Sequence, residues 1–503
     1  MNVEKDFEAL RAYCRETALL EATSALLEWD ERTGLPSSAG AYRADQLTHL
    51  AGLIHSRRTS PEFGELLDQV KESELAADPN SQTGAAIRKL RKDYERNARM
   101  PLALVKAISK ATVLGQQAWE RARADDDWKQ FEPHMEEVFK LRREEAALTA
   151  DGSSLYDALL DQYEEGAKSD QLTETFADLR EQLVVLVRET NESTCRPTGA
   201  SMRKPVSVDR QREISRWIAE RVGYSFERGR LDETSHPFCT TLGPDDCRIL
   251  TRYDENFFAS GFYGTLHEAG HGMYEQGLPT DWYGFAPGMA AGLGIHESQS
   301  RLWENFVGRS EAFWRWGFPE VKSRAGGAWD ALDAQQVYRD ANFIEPSLIR
   351  VEADEVTYNL HILIRFEIEQ QLMTGELAVT DAPSAWNEKY DHYLGIRPPS
   401  DKDGILQDVH WSAGLVGYFP TYTLGNLFAA QLMEAANAEL GDTNEMFAKG
   451  EFEPLLAWLQ DKVHSSGACY YSDQLLTNIT GKSLTAEPLV RYLRAKLAPI
   501  YQL

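Results

Sequence analysis

The sequence is poor in basic residues relative to acidic ones and has no long apolar run. It carries 53 Lys and Arg against 79 Asp and Glu, a formal net charge of -26 at pH 7. Nucleic acids and anionic membranes are bound through clustered Lys and Arg, so we expect neither as a partner. No stretch of about 18 apolar residues occurs, and the start MNVEKDFEALRAYCRE lacks the parts of a signal peptide. We therefore expect a cytoplasmic protein.

Cysteine is scarce and scattered. No two cysteines form a C-x-x-C pair, and the set comprises Cys14, Cys195, Cys239, Cys247 and Cys469. This usage argues against a disulfide framework and against a cysteine-ligated zinc site, and it predicts reduced thiols. Cys239 and Cys247 are close in sequence, and we interpret them as buried structural thiols.

Most of the chain has the periodicity of amphipathic helices. From residue 3 to about 195, apolar residues recur at spacings of three and four, as in DLREQLVVLVRET. Helix breaks are predicted where Pro, Gly or Ser cluster, in RTGLPSSAG, AADPNSQTG, ARMPLAL, ADGSSLYD and TCRPTGASMRKP. Residues 199–256 differ, because SHPFCTTLGPDDCRILTRYDE has short segments around a Gly-Pro-Asp-Asp turn, which predicts a small β-hairpin. Helical periodicity then resumes.

These patterns predict a mostly α-helical fold with a small β-sheet. A length of 503 residues exceeds the usual size of a single core, so packed lobes are expected. No segment has the composition of an independent linker. We therefore expect residues 1–503 to form one continuous unit, with residues 1–198 as a helical lobe and residues 199–503 as a second lobe.

The stretch GTLHEAGHGMYEQG contains an H-E-x-x-H motif at His267–His271. On a helix, residues i and i+4 lie on one face, so two imidazoles can bind one metal ion. The stretch also holds Gly264, Gly270, Gly272 and Gly277, and each glycine costs a helix roughly 1 kcal/mol relative to Ala. Small residues allow a neighbouring backbone to approach closely, which predicts a tightly packed ligand helix. A locally frayed helix is the alternative.

A third ligand is needed to make the motif a catalytic metal site. The extended motif with a later His is absent, because Tyr274 and Gly277 occupy the positions that require Gly and His. Glu297, which we place at the start of a following amphipathic helix, completes a His-His-Glu set that leaves one tetrahedral position for water. Glu268 can accept a proton from that water as it attacks a carbonyl. The alternative is that these four residues are core histidines and surface glutamates.

Short motifs follow one another in order through the second half of the chain. They are HPF at His236–Phe238, DCRIL at Asp246–Leu250, HEAGH, HESQ at His296–Gln299, IRVEAD at Ile349–Asp354 and GILQDVHW at Gly404–Trp411. In these motifs the chain resembles the carboxypeptidase Taq family of zinc metallocarboxypeptidases. One position departs: Leu250 stands where the family has Thr, so we assign no hydroxyl contact there. The resemblance implies a homodimer of mostly helical subunits, each with a deep substrate groove and zinc at its bottom.

The resemblance also implies the chemistry. It assigns zinc, which Co²⁺ can replace, to His267, His271 and Glu297 in the lobe 199–503, and it assigns the general base to Glu268. The substrates implied are peptides with a free C-terminus, trimmed one residue at a time with broad specificity. An oligo-endopeptidase or a dipeptidyl carboxypeptidase is the alternative within enzymes, and a non-catalytic peptide-binding homologue is the alternative outside them.

Further substrate and catalytic residues follow from the same motifs. Arg350 is the candidate for binding the terminal carboxylate, because a guanidinium pairs with both carboxylate oxygens. An ion pair with Glu352 or Asp354 is its alternative. His410, with Tyr418 or Tyr422, resembles the pair that stabilises the tetrahedral oxyanion in related peptidases.

The remaining candidates lie near the predicted hairpin and beside Glu297. His236 and Arg248 are expected to line the groove, with packing within the hairpin as the alternative, and Asp246 matches the same family motif. His296 could support a metal ligand from behind, although we expect it to be structural.

Overall fold

Helices make up most of residues 3–503, the part of the chain that the computed structural model describes. The first helices are α1 Val3–Thr33, α2 Gly40–Arg58, α3 Pro61–Val70, α4 Gln82–Arg99, α5 Leu102–Asp125, α6 Trp128–Thr149, α7 Leu155–Leu160, α8 Ser169–Glu192 and α9 Val208–Val222. After the sheet come α10 Phe258–Gly277, α11 Leu293–Arg301, α12 Glu311–Ala325, α13 Ala334–Ala341, α14 Thr357–Thr374, α15 Ala382–Leu394, α16 Pro420–Leu440, α17 Thr443–Phe447, α18 Glu453–Lys462, α19 Ser472–Thr480 and α20 Glu487–Tyr501. The mostly α-helical fold class is confirmed.

Helix breaks occur at every predicted Pro, Gly or Ser cluster, and also at three sites that were not predicted, between α2 and α3, between α7 and α8, and between α5 and α6. The last of these has no such cluster. There α5 is followed by Asp126, whose φ of 56° lies in the left-handed region. Asp127 then begins the next helix, because its side chain accepts a hydrogen bond from the backbone N–H of Lys129. Two consecutive aspartates therefore separate α5 from α6. Asp126 adopts the left-handed conformation, which Asp tolerates better than most residues, and Asp127 caps the start of α6. None of the helices in residues 3–503 has the length and hydropathy that a membrane span requires.

The sheet has three strands rather than the two of the predicted hairpin. They are β1 Gly229–Glu233, β2 Phe238–Thr241 and β3 Cys247–Thr251, in the order β1-β3-β2. β2 and β3 are antiparallel, with Cys239 opposite Ile249, so the hairpin is confirmed. β1 pairs in parallel with β3. Its sequence GRLDE was not recognised because it lacks the β-branched and aromatic residues typical of strands.

The chain forms two compact units, each made of three segments. The first unit comprises Met1–Asn97, Thr198–Ala341 and Leu432–Lys482. The second comprises Ala98–Pro197, Asn342–Gln431 and Ser483–Leu503. The units are thus interleaved along the sequence, whereas we expected consecutive lobes at 1–198 and 199–503. The first unit contains the sheet, α10 and α11, and the second contains α14.

α10 is the central helix of the first unit, and most of its 20 residues are buried. β3, α9 and α11 pack around it. A Cβ added at Gly270 would lie 2.5 Å from the carbonyl oxygen of Gln299 in α11, and one at Gly272 would lie 2.7 Å from the ring of Tyr224. The glycines therefore lie where neighbouring elements come closest. The predicted tight packing of this helix is confirmed, and the frayed alternative is wrong.

We expect Gly270→Ala to destabilise the protein, because the new Cβ would overlap backbone atoms of Gln299 and Ser300. Overpacking of this kind costs about 1–3 kcal/mol, which a lower midpoint in urea denaturation would reveal. Gly52→Ala in α2 is the matched control, since nothing lies within 4 Å of its added Cβ. There the better helix propensity of Ala should raise the free energy of unfolding by up to about 1 kcal/mol. Equal effects of the two substitutions would contradict the close contact at Gly270.

α14 has a corresponding position in the second unit. α6, α7, α8 and α15 pack around it. Its buried residues include the polar side chains of His361, Arg365 and Glu369. A buried cation and a buried carboxyl group require hydrogen-bonding partners. Asp408 and Trp411, from the segment that precedes α16, bind Arg365 and Glu369, and Tyr156 of α7 also binds Glu369.

Candidate active site

The side chains of His267, His271 and Glu297 converge in the first unit. α10 carries the imidazoles on successive turns, and α11 carries the carboxylate. The three candidate ligand atoms lie within 4.8 Å of one another. Nε2 of His267 and Nε2 of His271 are 3.7 and 3.5 Å from Oε2 of Glu297. Two nitrogens and one carboxylate oxygen with this spacing fit one divalent cation such as zinc. Since α11 begins at Leu293, Glu297 lies in its second turn rather than at its start.

Glu304 orients the ring of His267. Its Oε2 lies 3.0 Å from Nδ1 of His267, which leaves Nε2 facing the other ligand atoms. Arg301 and Arg309 each donate a hydrogen bond of 3.2 Å to the Glu304 carboxylate. Burial alone would raise the pKa of Glu304, but Arg301, His267 and Arg309 hold it well below its usual range. A carboxylate behind a ligating imidazole fixes its tautomer and increases its basicity. Sequence analysis did not identify Glu304.

Replacing Glu304 with Gln should weaken metal binding roughly 10–100-fold, because the charge behind His267 is removed. Competition between the protein and a chelator for Zn²⁺ or Co²⁺ measures this affinity. Glu311→Gln is the control, since Glu311 lies on the surface in the first turn of the next helix, with 49% of its side chain exposed. If the Glu304→Gln protein bound Zn²⁺ as tightly as the control, Glu304 would have no part in metal binding.

His296 packs directly against the candidate ligand His271. Their ring centroids are 4.3 Å apart with an interplanar angle of 19°. Nε2 of His296 lies 3.0 Å from Oε1 of Glu275, whose Oε2 accepts a hydrogen bond from Thr241 at 2.9 Å. Burial, followed by the nearby His296, lowers the pKa of His271 to about 3. The His271 ring is therefore neutral, as a metal ligand requires.

Glu268 lies between the two histidines in the sequence of α10 and is buried, with only 5% of its surface exposed. Burial raises the pKa of Glu268 to about 7, because removal from water disfavours the charged carboxylate. A carboxyl group with a pKa near neutrality can accept and release a proton at physiological pH. The general-base role of Glu268 stays a prediction, and its burial is the feature of the structure that bears on it.

Arg350, Arg365 and Asp408 form a buried cluster in the second unit. Oδ1 of Asp408 is 2.7 Å from Nη2 of Arg350, and Oδ2 is 2.7 Å from Nε of Arg365. Burial alone would raise the pKa of Asp408, but the two guanidinium groups hold it far below its usual range. Two cations share one anion, so the cluster has an excess of positive charge. Such an excess favours binding of a carboxylate. The roles of Asp408 and Arg365 were missed from the sequence.

The ion-pair partner of Arg350 is neither Glu352 nor Asp354, the two residues that the sequence suggested. Arg350 pairs with Asp408, and its Nη1 lies 3.1 Å from the hydroxyl of Tyr358. Asp354 instead caps α14, because its Oδ1 accepts hydrogen bonds from the backbone N–H groups of residues 356 and 357. The alternative ion pair with Glu352 or Asp354 is therefore wrong.

His410 lies close to both candidate tyrosines in the second unit. Its Nε2 is 3.3 Å from the hydroxyl of Tyr422, whereas its ring centroid is 5.6 Å from that of Tyr418. The hydroxyl of Tyr422 is thus within hydrogen-bonding distance of the His410 imidazole, and the ring of Tyr418 also lies beside it. Burial lowers the pKa of His410 to about 4, so the imidazole is neutral at physiological pH.

The residues of the predicted hairpin lie in different environments. His236 is exposed in the connection between β1 and β2. Arg248 donates two hydrogen bonds to Asp246, of 2.8 and 2.9 Å, and its guanidinium lies 4.3 Å from the ring centroid of Trp29. The contact with Asp246 lies within the hairpin, as in the alternative given for Arg248, whereas Trp29 belongs to α1. Leu250 is fully buried in β3. All five cysteines are free, and Sγ of Cys239 lies 3.6 Å from Sγ of Cys247.

The chain is similar to a metallopeptidase family and to several carboxypeptidases. The family model described as Carboxypeptidase Taq (M32) metallopeptidase matches residues 9–497. The chain is 44% identical over 510 residues to Thermostable carboxypeptidase 1 of Thermus thermophilus, covering 100% of both proteins. It is 38% identical to Carboxypeptidase 1 of Bacillus subtilis over 95% of each. The crystal structure of the M32 carboxypeptidase from Deinococcus radiodurans matches with a TM-score of 0.96 and 37% identity, covering 99% of this chain and 100% of that one. This protein belongs to the carboxypeptidase Taq (M32) family and is a metallocarboxypeptidase.

Proposed function

We propose that this enzyme is a zinc-dependent carboxypeptidase that removes single C-terminal residues from peptides of varied sequence. The observation that carries the proposal is the convergence of His267, His271 and Glu297, with Glu268 on the same helix as the two histidines. These ligands would hold zinc, which when bound lowers the pKa of a water molecule and polarises the scissile carbonyl. Co²⁺ prefers similar ligands and is proposed to replace zinc.

Glu268 is proposed to take the proton of the attacking water and to pass it to the leaving amine. Its pKa of about 7 supports both steps, because the group is neither fully ionised nor fully protonated near neutral pH. Glu304 and His296 are proposed to keep the two imidazoles in place during the reaction, through the contacts described above.

Arg350 is proposed to bind the C-terminal carboxylate of the substrate. Its Nη1 faces the neutral hydroxyl of Tyr358, so a carboxylate would replace a neutral acceptor with a charged one. His410 and Tyr422 are proposed to donate hydrogen bonds to the oxyanion, with Tyr418 packed beside them. Their support is the motif resemblance and the 3.3 Å contact between His410 and Tyr422. His236, Asp246 and Arg248 remain proposed contributors to substrate binding through the family motifs alone.

A timed digestion of mixed peptides tests the proposed function. We expect a ladder that loses one C-terminal residue at a time, no cleavage of C-terminally amidated peptides, and a raised KM for free peptides in Arg350→Ala. Internal fragments would indicate an oligo-endopeptidase, and released dipeptides a dipeptidyl carboxypeptidase. Metal analysis and reconstitution with Zn²⁺ or Co²⁺ would identify the ion. Efficient cleavage of amidated peptides would refute the role of Arg350.

We also propose a homodimer in the cytoplasm. The dimer rests on the family resemblance, and light scattering of the purified protein measures it directly. A monomer over the whole concentration range of the assay would contradict it.

A further inference from the structure

The loop that joins His410 to Tyr418, hereafter the His410 loop, has two attachments to one buried carboxylate. Nε1 of Trp411 donates a 2.8 Å hydrogen bond to Oε1 of Glu369, and the backbone N–H of Gly417 donates a 3.1 Å bond to Oε2. Trp411 follows His410 directly, and Gly417 directly precedes Tyr418. We propose that Glu369 is a positioning residue that holds His410 and Tyr418 in place through this loop. The inference rests on the proposed function of His410.

The same helix holds His410 from its other side. Arg365 lies one turn before Glu369 on α14, and its Nε donates a 2.7 Å hydrogen bond to Asp408. Residues four apart on a helix lie on one face. Asp408 and Trp411 flank His410 in sequence, so two successive turns of α14 hold the backbone on both sides of the imidazole. Loss of the Glu369 contact would leave His410 held from one side.

The His410 loop has little space to take another path. A Cβ at Gly417 would lie 2.8 Å from the backbone nitrogen of Leu160 in α7. A Cβ at Gly414 would lie 2.8 Å from Nη2 of Arg142 in α6. Trp411 is 4% exposed. Because the loop is enclosed in this way, the hydrogen bonds to Glu369 determine which of its few remaining positions it occupies.

Glu369 is suited to direct this loop because it receives three hydrogen bonds. Besides the two from the loop, the hydroxyl of Tyr156 donates a 2.8 Å bond to Oε2. Glu369 is fully buried, and burial raises its pKa to about 7. An apolar residue of similar size at this position would often make the protein equally stable or more stable. What the carboxylate supplies is the direction of its three hydrogen bonds.

Glu369→Gln tests the proposal, with Tyr156→Phe as the matched control. An amide has one acceptor oxygen and one N–H₂ group, so Gln cannot accept from both Trp411 and Gly417. Misplacement of His410 should lower kcat about 10–100-fold, with a much smaller change in KM. Tyr156→Phe removes a hydrogen bond from the same carboxylate without touching the His410 loop, so its kcat should stay near that of the unaltered enzyme. Equal kcat in all three proteins, or equal losses in both variants, would overturn the proposal.

Trp411→Phe removes the other end of the same hydrogen bond and carries the test if Glu369→Gln fails to fold. If Glu369 and Trp411 act through one hydrogen bond, the fold-loss of kcat in the double variant should be smaller than the product of the two single fold-losses. Fully multiplicative losses would mean that Glu369 and Trp411 act independently.

A measurement of the His410 ring separates this inference from the function assigned to His410. Its ¹⁵N resonances, assigned by their loss in His410→Ala, should shift in Glu369→Gln and stay unchanged in Tyr156→Phe. If the resonances shift but His410→Ala retains full kcat, the positioning role of Glu369 holds and the oxyanion role of His410 fails. If His410→Ala loses turnover while Glu369→Gln changes neither kcat nor the resonances, the positioning role is refuted.

Discussion

Glu268→Gln is expected to keep its metal and to lose turnover by roughly 10²–10⁴-fold, the usual contribution of a general acid-base group. The amide has nearly the shape of the carboxyl group, but it cannot accept a proton from water. The side chains of the proposed ligands His267, His271 and Glu297 are unchanged, so metal content measured by mass spectrometry should be that of the unaltered protein. Steady-state hydrolysis of a C-terminally free peptide gives the loss in kcat.

The environment of Glu268 supplies an internal control for this experiment. Burial raises the pKa of its carboxyl group, so the folded protein gains nothing from its charge at neutral pH. In the metal-free protein, the Glu268→Gln substitution should therefore leave the urea midpoint unchanged or raise it, so a loss of turnover would not result from loss of the fold. Turnover within about tenfold of the unaltered enzyme, with full metal content, would refute the base assignment.

Asp408→Asn is expected to have the largest effect on stability. The substitution leaves the guanidinium groups of Arg350 and Arg365 buried without their shared counter-ion, and removing one partner of a buried pair costs about 3–5 kcal/mol. Urea denaturation measures the loss. Asp209→Asn is the control, because Asp209 is 87% exposed and pairs with Arg212 at the surface. Such surface pairs contribute about 0–1 kcal/mol.

The pH dependence of this effect follows from the low pKa of Asp408. In the unfolded chain an Asp ionises near pH 4, whereas in the folded protein it ionises at a much lower pH. The stabilisation is therefore fully present above the unfolded pKa and is lost only as pH falls through the folded pKa. The difference between Asp408→Asn and the unaltered protein should stay constant from about pH 5 to 8. A difference that disappears within that range would contradict the ion-pair assignment.

The convergence of the candidate metal ligands could be predicted from sequence because its geometry is mostly local. His267 and His271 are one helical turn apart, so they lie on one face of the helix. The glycines around them predict a closely packed neighbour, although they do not identify that neighbour. Glu304 had a weaker signal, since it follows Glu297 by two helical turns and lies in a π-helical segment, Leu302–Val307, that alters the register.

The second unit was less predictable because its contacts join distant parts of the chain. Arg350 and Asp408 are 58 residues apart, and Arg365 and Asp408 are 43 apart. Neither pairing produces a periodic pattern. One signal was present: Arg365 is a single cation within the apolar run YNLHILIRF, and a cation buried in a helix requires a partner. The interleaving of the two units is equally non-local, so the division near residue 198 did not describe them.

The interleaved order of segments has a consequence for biosynthesis. The first unit includes Leu432–Lys482, from which His464 places Nε2 3.0 Å from the side-chain oxygen of Gln299 in α11. α10 and α11 carry every candidate metal ligand, yet this packing partner emerges from the ribosome long after them. A nascent chain that ends before residue 432 therefore exposes part of the surface that those helices later bury. Folding of the metal site should be completed late in translation or after release, and chaperones that shield apolar surfaces would act on this chain until then.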